Sequence, residues 1–310
     1  RWVAVGQGTN TIAYSTDGIT WTGLGTSYFN YGYGIAYSAE LSRWIALGGL
    51  GASIRYSTDG ITWNGGEYTF SYGRHVAYSA QLGRWVAVGD GTTNSIAYST
   101  DGITWTGGGT SIFTSAGYGV AALTSLPAKF VSVGLGTSSI VYSYDGITWT
   151  RSSNGASIFS TIATGVAYSA DLGRWVAVGE GTSTIAYSID GITWTGLGTS
   201  IFTSRGRHVA YSAQLGRWVA VGSGTNTIAH STDGITWTGL GTSVFDAGYG
   251  VAYSAQLGRW VAVGSGTTSI AYSTDGVTWT ESSNGTSIFT NQGYGVAYSE
   301  YLSRWVAVGG

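Results

Sequence analysis

Carboxylate side chains recur along the chain in one constant setting, and grouped carboxylates serve acid–base catalysis and calcium binding. Seven segments of the form Ser-x-Asp-Gly-x-Thr-Trp carry one aspartate each, at Asp17, Asp59, Asp101, Asp145, Asp190, Asp233 and Asp275. Glycoside hydrolysis needs two carboxyl groups close together, and Ca²⁺ takes about 6–8 oxygen ligands. One carboxylate per segment meets neither need, so we predict that the seven aspartates are structural.

A second group of side chains differs from one repeat to the next and is suited to ligand binding. Equivalent positions hold Tyr33, Arg74, Tyr118, Thr164, Arg207, Tyr249 and Tyr294, and two of them are followed by His75 and His208. Tyrosine offers a flat ring and a hydroxyl, and arginine offers a two-pronged donor for an acidic group. We predict a ligand site made of Tyr33, Arg74, Tyr118, Arg207, His208, Tyr249 and Tyr294. The alternative is that the tyrosines pack against their neighbours and the arginines extend to water.

The composition argues against several other kinds of site. The chain has no cysteine, its three histidines fall in different repeats, and its net charge is −2 with only 9% charged residues. We therefore expect no metal, no cofactor and no nucleic-acid partner, since nucleic-acid binding needs clustered Lys and Arg. No apolar run approaches the ~18 residues of a membrane span. The sequence also lacks a phosphate-binding loop before a helix and a nucleophile elbow.

The elements that must hold these residues follow from the spacing of the aspartates. Successive aspartates lie 42 to 45 residues apart, and each period contains four short apolar segments, here named A to D. In the repeat that follows Gly206 they read Arg-His-Val-Ala-Tyr-Ser-Ala, Arg-Trp-Val-Ala-Val-Gly, Thr-Ile-Ala-His-Ser and Ile-Thr-Trp-Thr-Gly. The segments are rich in Val, Ile, Thr, Tyr and Trp, and they lack the length and period of helices, so they predict β-strands. Periods of ~40–45 residues with four strands are typical of one propeller blade. We predict an all-β, seven-bladed β-propeller of four-stranded antiparallel blades, with residues 1–310 as one domain and a β-solenoid as the alternative.

The strand count leaves one strand over. The B-strand sequence Arg-Trp-Val-Ala-Val-Gly stands at residues 1–6 and again at 304–309. Only one copy fits if the propeller is closed by pairing its N- and C-terminal strands, so the other is redundant. A redundant strand is expected in a piece cut from a longer repeat array, and also in a protein that self-associates, because an unpaired strand edge is a template for pairing.

The repeated segments resemble the boxes of the Asp-box, or BNR-repeat, propellers. That family includes sialidases, sortilin-type receptor domains and photosystem assembly factors, and its motif reads Ser/Thr-x-Asp-x-Gly-x-Thr-Trp. In this chain every box is one residue shorter, with Asp directly before Gly, as in Asp17-Gly18. The resemblance implies that the boxes lie at the C–D turns, on the face opposite the usual active site. From the residues themselves, Asp-Gly between two strands predicts a two-residue type I′ hairpin with positive φ at both positions.

Sialidases, the enzymatic members of that family, have a set of catalytic residues that we do not find in this sequence. Sialidases use an arginine triad, a tyrosine nucleophile with a glutamate partner, and an aspartate acid/base. Here only Arg74, Arg205 and Arg207 are suitable arginines, and no matching Tyr–Glu pair is found. The carboxylates Asp90, Glu180 and Asp246 fall in separate repeats. We expect no enzymatic activity.

Two kinds of non-enzymatic function remain open. The first is a multivalent binding propeller, with lectin-like glycan recognition or a protein ligand on the face of the B–C and D–A loops, since repeated sites give avidity. The second is a structural or surface-display propeller of a fibre, capsid or other assembly, or an engineered or trimmed repeat scaffold. The low charge and high glycine content favour an extracellular or surface-exposed protein without identifying its compartment.

Two further features recur in the repeats, and the first of them predicts a structural role. A basic residue precedes each B-strand aromatic residue, at Arg1, Arg43, Arg84, Lys129, Arg174, Arg217, Arg259 and Arg304. One phenylalanine stands in each D–A loop, at Phe29, Phe70, Phe113, Phe159, Phe202, Phe245 and Phe289. These rings either pack between blades or form an exposed apolar decoration that marks an interface.

Overall fold

The computed structural model describes residues 4–5, 10–15, 21–49, 52–67, 69–123, 127–282, 292–299 and 304–309. The A strands are β4 (Tyr31–Ser38), β8 (Tyr72–Ser79), β12 (Ala116–Ala122), β16 (Ile162–Ser169), β20 (Arg205–Ser212), β24 (Ala247–Ser254) and β28 (Gly293–Ser299). The B strands are β1 (Ala4–Val5), β5 (Arg43–Gly49), β9 (Arg84–Asp90), β13 (Phe130–Leu135), β17 (Arg174–Glu180), β21 (Arg217–Ser223), β25 (Arg259–Ser265) and β29 (Arg304–Gly309).

The outer strands of each repeat are shorter. The C strands are β2 (Ile12–Ser15), β6 (Ile54–Ser57), β10 (Ile96–Ser99), β14 (Ile140–Ser143), β18 (Ile185–Ser188), β22 (Ile228–Ser231) and β26 (Ile270–Ser273). The D strands are β3 (Trp21–Gly23), β7 (Asn64–Glu67), β11 (Thr106–Gly107), β15 (Thr150–Arg151), β19 (Thr195–Gly196), β23 (Thr238–Gly239) and β27 (Thr280–Glu281). One helical turn, α1 (Gly155–Ile158), follows β15.

The strands pair in the order A-B-C-D, and every pairing is antiparallel. The sets β16–β19, β20–β23 and β24–β27 are separate four-stranded sheets. Three further sets of four, from β4 to β15, are joined into one sheet by the pairs Gly49–Tyr72 and Ala116–Asp90. The prediction of an all-β fold built from four-stranded antiparallel blades is confirmed.

The terminal strands differ from the sequence prediction. Strand β1 pairs with β2, and β29 pairs with β28, so each terminal B strand has a partner. The two groups contact each other, and β28 also lies beside β24 and β4. In the described part of the chain no hydrogen-bonded ladder joins β28 or β29 to β1, β2 or β3. The predicted closure by pairing of the N- and C-terminal strands is therefore not found there.

The core lies between neighbouring blades, which is why the B strands are apolar on both faces. In one cluster, Val176 and Val178 of β17 pack with Trp218 of β21 and with Phe202 from the preceding loop. Trp218 and Phe202 are fully buried. A strand covered on both faces has no solvent side, so it reads as a continuous apolar run rather than an alternating one.

The loop phenylalanines belong to this core. Phe29, Phe70, Phe113, Phe159, Phe202 and Phe245 are all buried, whereas Phe289 lies outside the described residues. Each buried ring packs on the glycine near the end of a B strand, and a Cβ added at Gly222 would come within 2.9 Å of the Phe202 ring. The hypothesis of an exposed phenylalanine decoration is wrong for these six residues.

The D strands are shorter than the predicted Ile-Thr-Trp-Thr-Gly segments. In the blade of β16–β19, strand D consists of Thr195 and Gly196, and Trp194 belongs to the preceding turn. Trp194 is nevertheless buried. The tryptophan thus contributes to the core from a turn, where backbone geometry rather than strand pairing sets its direction.

Candidate functional site

The box aspartates bind the backbone of their own turns. In the box of β18 and β19, Asp190 Oδ1 accepts hydrogen bonds from Ile192 N at 2.7 Å, Thr193 N at 2.8 Å and Ser188 Oγ at 2.9 Å. Gly191 N donates to Ser188 Oγ at 2.8 Å. The same bonds recur at Asp59, Asp101, Asp145, Asp233 and Asp275, whereas Asp17 lies outside the described residues.

The turn itself differs from the predicted type I′ hairpin. Six residues separate β18 from β19, and only the glycine adopts a positive φ, which is 70° at Gly191. The wider loop brings two backbone N–H groups onto one carboxylate oxygen. Burial by itself raises the pKa of Asp190, but the hydrogen bonds from Thr193 and Ile192 outweigh it and lower the pKa. The carboxylate is therefore charged and engaged at neutral pH.

The basic residues before the B strands connect neighbouring blades at the same end. Arg174 Nη1 donates to the carbonyl oxygen of Asp233, which is the box aspartate of the next blade. Arg43, Arg84 and Lys129 make the equivalent bonds to Asp101, Asp145 and Asp190. These side chains join neighbouring blades, in line with the structural role that the sequence predicts, and they do not line the cavity described below.

At the other end of the blades, a β-bulge turns one side chain of each A strand into the centre of the molecule. The register between strands A and B shifts at seven places, and the extra residues are Tyr33, Arg74, Tyr118, Thr164, Arg207, Tyr249 and Tyr294. A bulge sets two residues of one strand against one of its partner and so re-aims a side chain. We call these seven residues the mouth ring.

The mouth ring lines a central cavity of about 770 Å³. Arg205, His75 and His208 also line it, whereas no carboxylate does among the described residues. Below the mouth ring the wall follows the A strands past Ala121, Ala167 and Ala210 to further tyrosines at Tyr168, Tyr211 and Tyr253. The cavity thus has aromatic residues towards both ends and small apolar side chains between them.

Neighbouring members of the mouth ring contact one another along most of its circumference. The guanidinium of Arg74 lies 4.4 Å from the ring centroid of Tyr33 and 5.5 Å from that of Tyr118. Tyr33 and Tyr294 lie 6.5 Å apart by ring centroid, and Tyr294 and Tyr249 lie 5.6 Å apart. Burial raises the pKa of Tyr33, Tyr118 and Tyr294, so these phenols are neutral hydroxyl donors and acceptors.

Two of the three arginines at the mouth are paired with carboxylates. Arg74 Nε and Nη2 donate to Asp90 at 3.1 and 2.6 Å, within one blade. Arg205 Nε donates to Glu180 Oε2 at 2.7 Å, across two blades. Arg207 has no ion-pair partner among the described residues, and its guanidinium lies 4.5 Å from the ring centroid of Tyr249. A triad of free arginines is therefore not present at the mouth.

The two histidines meet across the cavity although they lie 133 positions apart in the sequence. Their ring centroids are 6.1 Å apart, and neither Nδ1 atom has a hydrogen-bond partner or accessible surface. Burial lowers the pKa of both His75 and His208 to about 4, so both imidazoles are neutral at pH 7. The histidines belong to different repeats, and the sequence therefore predicts that they lie far apart. This prediction is wrong for His75 and His208, because A strands of separate blades converge on the cavity.

Other groups predicted from the sequence do not join this site. His230 lies in strand β22, outside the residues that line the cavity. Asp246 is exposed and also lies outside the lining. Within the described ranges, no three His, Cys, Asp or Glu side chains are grouped as metal ligands would be. No helix of the described chain has the length and apolar character needed to cross a membrane.

Known proteins were compared by sequence and by structure. No protein-family model and no curated protein matches the sequence. The catalytically inactive virginiamycin B lyase from Staphylococcus aureus with quinupristin is similar in structure, with a TM-score of 0.71 and 13% identity over 86% of this chain and 88% of that chain. YCF48 from Cyanidioschyzon merolae matches with a TM-score of 0.58 and 16% identity over 86% and 89%. The chain is a β-propeller.

A third comparison covers nearly the whole chain. A chain of the nidogen–laminin complex matches 98% of this propeller and 97% of its own length, with a TM-score of 0.55 and 10% identity. At such identities the likeness shows the fold and leaves activity and ligand open. The function of this propeller must therefore be argued from its own side chains.

Sequence reasoning selected six of the mouth-ring residues and His208, but it omitted Thr164, His75 and Arg205. The Gly-x-Gly pattern marks the four bulged tyrosines, as in Gly32-Tyr33-Gly34, because a glycine inside a strand often marks a bulge. The pattern is absent at Arg74, Thr164 and Arg207, so it could not have found the omitted residues. The pairing of Arg74 with Asp90 and of Arg205 with Glu180 had no sequence signal, since the partners lie 16 and 25 positions apart.

Proposed function

We propose that this propeller is a non-catalytic binding protein that takes a glycan-type ligand at the mouth ring. The cavity of about 770 Å³ carries this proposal, because its mouth combines four tyrosines with a few polar groups. Ligand sites are typically concave and largely apolar, with a small number of placed polar groups. Tyrosine faces suit the flat apolar side of a sugar ring, and their hydroxyls suit its polar edge.

The differences between blades favour one asymmetric site over seven equal ones. The same bulge position holds tyrosine in four blades, arginine in two and threonine in one. A ligand on the axis of a closed, seven-bladed ring would contact several of these side chains at once. We include that closed ring in the proposal, since β28 lies beside β4 and Tyr294 contacts Tyr33.

Among the described residues no pair of carboxylates faces the cavity, and this supports a binding role. Asp90 and Glu180 are engaged by arginines, and neither lines the cavity. A glycosidase would need two carboxyl groups facing the same sugar. One solved structure similar to this chain, with a TM-score of 0.55 and 15% identity, is YCF48 bound to a D1 peptide. A peptide is therefore the natural competitor to a glycan in any test.

A glycan array tests the proposal directly. We expect the folded protein to retain a restricted set of glycans, and we expect the double variant Tyr249→Ala/Tyr294→Ala to lose them. The matched control is Tyr187→Ala, because Tyr187 lies in a C strand against Arg174, away from the cavity. Loss in the control as well, or no glycan retained by the wild type, would contradict the proposal.

A second candidate function is assembly through the box end of the molecule. Six large apolar side chains are exposed in the described chain, namely Ile103, Tyr144, Ile147, Leu172, Ile189 and Leu257. All six stand in box turns or A–B turns, which share one end, and Ile189 is 72% exposed. Exposed apolar patches often mark interfaces. Light scattering of the wild type and of Ile189→Ser tests this, since assembly through this end predicts fewer oligomers in the variant.

A further inference from the structure

Two blades carry the same local sequence at the mouth but differ in the residue opposite. Arg74 and Arg207 are equivalent bulge residues, each within a Gly-Arg-His-Val-Ala-Tyr-Ser segment. The residue at the end of the partner B strand is Asp90 in the first blade and Ser223 in the second. The carboxylate that neutralises Arg74 therefore has no counterpart beside Arg207.

The mouth-ring residues on either side of the two arginines also differ, and they leave more space beside Arg207 than beside Arg74. Arg74 lies between the rings of Tyr33 and Tyr118. Arg207 has the ring of Tyr249 on one side, and the mouth-ring residue of the blade on its other side is the short Thr164. The Thr164 hydroxyl donates to the carbonyl of Gly206 at 2.6 Å, so this side chain is held against the wall. The mouth ring thus has its gap next to Arg207.

One of the three positive charges at the mouth is not neutralised by an ion pair. Arg74 and Arg205 are matched by Asp90 and Glu180, and Arg207 is not matched within the described residues. Arg207 Nε is buried and has no hydrogen-bond partner. Burial, together with the charge of Arg205, lowers the pKa of Arg207 although Glu180 acts in the opposite direction, whereas the bond to Asp90 overcomes burial and raises the pKa of Arg74. Glu180 is bonded to Arg205, so Arg205 and Arg207 together carry one positive charge more than this carboxylate neutralises. A half-buried cation without an ion pair of its own gains most from an anion that supplies one.

We infer that Arg207 anchors the carboxylate of a small acidic ligand in the gap above Thr164, against the ring of Tyr249. This inference rests on the proposed binding function of the mouth ring and names the chemistry of its ligand. Arginine donates two parallel hydrogen bonds to a carboxylate, and such charge-assisted bonds are about twice as strong as neutral ones. The site differs from an arginine triad because a single free guanidinium and one aromatic face define it.

The carboxylate can belong to an acidic sugar or to the end of a peptide, and paired probes separate these sources. The sugar pair is glucuronate and glucose, and the peptide pair is N-acetyl-alanyl-alanine and its amide. Within each pair an uncharged polar group of similar size replaces the carboxylate. We expect the acid of one pair to bind about tenfold or more tighter than its neutral partner, as a charge-assisted hydrogen bond predicts. The affinity is measured by titration calorimetry or by NMR shifts.

The repeats supply matched variants for the arginine. Ser223→Asp copies the residue that neutralises Arg74, and we expect it to weaken binding of the acid about tenfold or more while leaving the neutral partner unchanged. Thr164→Tyr copies the residue of four other blades. We expect it to weaken binding of the acid, because the tyrosine ring fills the gap while the charge of the site stays the same. Asp90→Ser frees Arg74, and we expect it to strengthen binding of the acid. Thermal melts confirm that each variant folds.

Each outcome decides the inference. Equal binding of acid and neutral partner, equal binding by wild type and Ser223→Asp, or no saturable binding of either acid overturns the anion anchor. If the glycan array still shows neutral ligands that depend on Tyr249 and Tyr294, the proposed function stands while this inference fails. If the array is empty and only the peptide acid binds through Arg207, the anchor stands and the glycan assignment fails.

Discussion

Both ends of the blades depart from regular strand geometry. At one end the departure satisfies the hydrogen bonds of a turn, and at the other it turns a side chain into the cavity. At the box end, the backbone turns through a glycine of positive φ, and its N–H groups are bound by the aspartate of the same turn. At the mouth end, a bulge turns a side chain into the cavity and leaves it without a fixed partner at Arg207. The box end is nearly the same in each described blade, whereas the mouth changes from blade to blade.

This difference shows which parts of a repeat serve the fold and which are available for a ligand. A hydrogen-bonding pattern that is satisfied inside its own turn tolerates little change, so it recurs at Asp59, Asp101 and Asp145. A side chain in an open cavity has no such constraint. Its variation within one chain is therefore compatible with an unchanged blade, and under the proposed function it shapes the binding site.

The largest expected effect is on stability at the box end. Trp218 is fully buried and lies under the box of its own blade, against Gly234. We expect Trp218→Ala to lower the free energy of unfolding by about 3–5 kcal/mol, because it removes a large side chain from a packed core. Tyr249→Ala at the mouth should cost much less. Urea unfolding measures the loss in free energy of unfolding for both variants. Equal losses would contradict the expectation that the box end contributes more to stability than the mouth.

An intermediate effect is expected from the histidine pair and depends on pH. The pKa of each imidazole is about 4 in the fold against 6.5 otherwise, so the unfolded chain binds more protons between these values. Stability should therefore fall as pH drops from 6.5 towards 4, by on the order of 2 kcal/mol, since solvent in the cavity screens part of the charge.

The double variant His75→Gly/His208→Gly measures how much the two histidines contribute to this pH dependence of stability. Glycine is the residue at the equivalent positions Gly34, Gly119, Gly165 and Gly250, so the blades accept it. We expect the loss of stability between pH 6.5 and 4 to become smaller in the variant, while the loss below pH 4 remains. An unchanged pH profile would mean that the two imidazoles titrate normally.

The smallest effect is expected from a single box carboxylate. Asp190→Ala removes three hydrogen bonds from a largely exposed turn, and we expect a loss of about 1–2 kcal/mol at pH 7. The pKa of Asp190 is lowered in the fold, so its contribution is present above pH 4 and is lost as the pH falls below the folded pKa. The matched control is Asp246→Ala at the mouth end, where the exposed side chain should contribute little. A similar loss in both variants at pH 7 would contradict the fastening role of the box.

The candidate site could be predicted only in part, and the reason is visible in particular residues. Tyr33 and Arg74 were found because equivalent positions of different repeats can be compared along the sequence. Thr164 was passed over because a short polar residue gives no chemical signal, although its shortness is what opens the ring beside Arg207. The contact between His75 and His208 was missed because it joins blades that are not neighbours in the chain.

The sequence by itself determined the period, the four-strand content of a repeat and the place of the boxes between strands C and D. These features are local, because strand propensity and turn chemistry act over a few residues. Repetition along the sequence also indicated a structural role for the basic residues before the B strands, but not that they bond to the box of the next blade. Only the tertiary structure decided which arginine is left without a counter-charge, which way the bulged residues point and that two histidines meet. These depend on how separate blades are placed around one cavity, since their partners come from strands up to 133 positions apart.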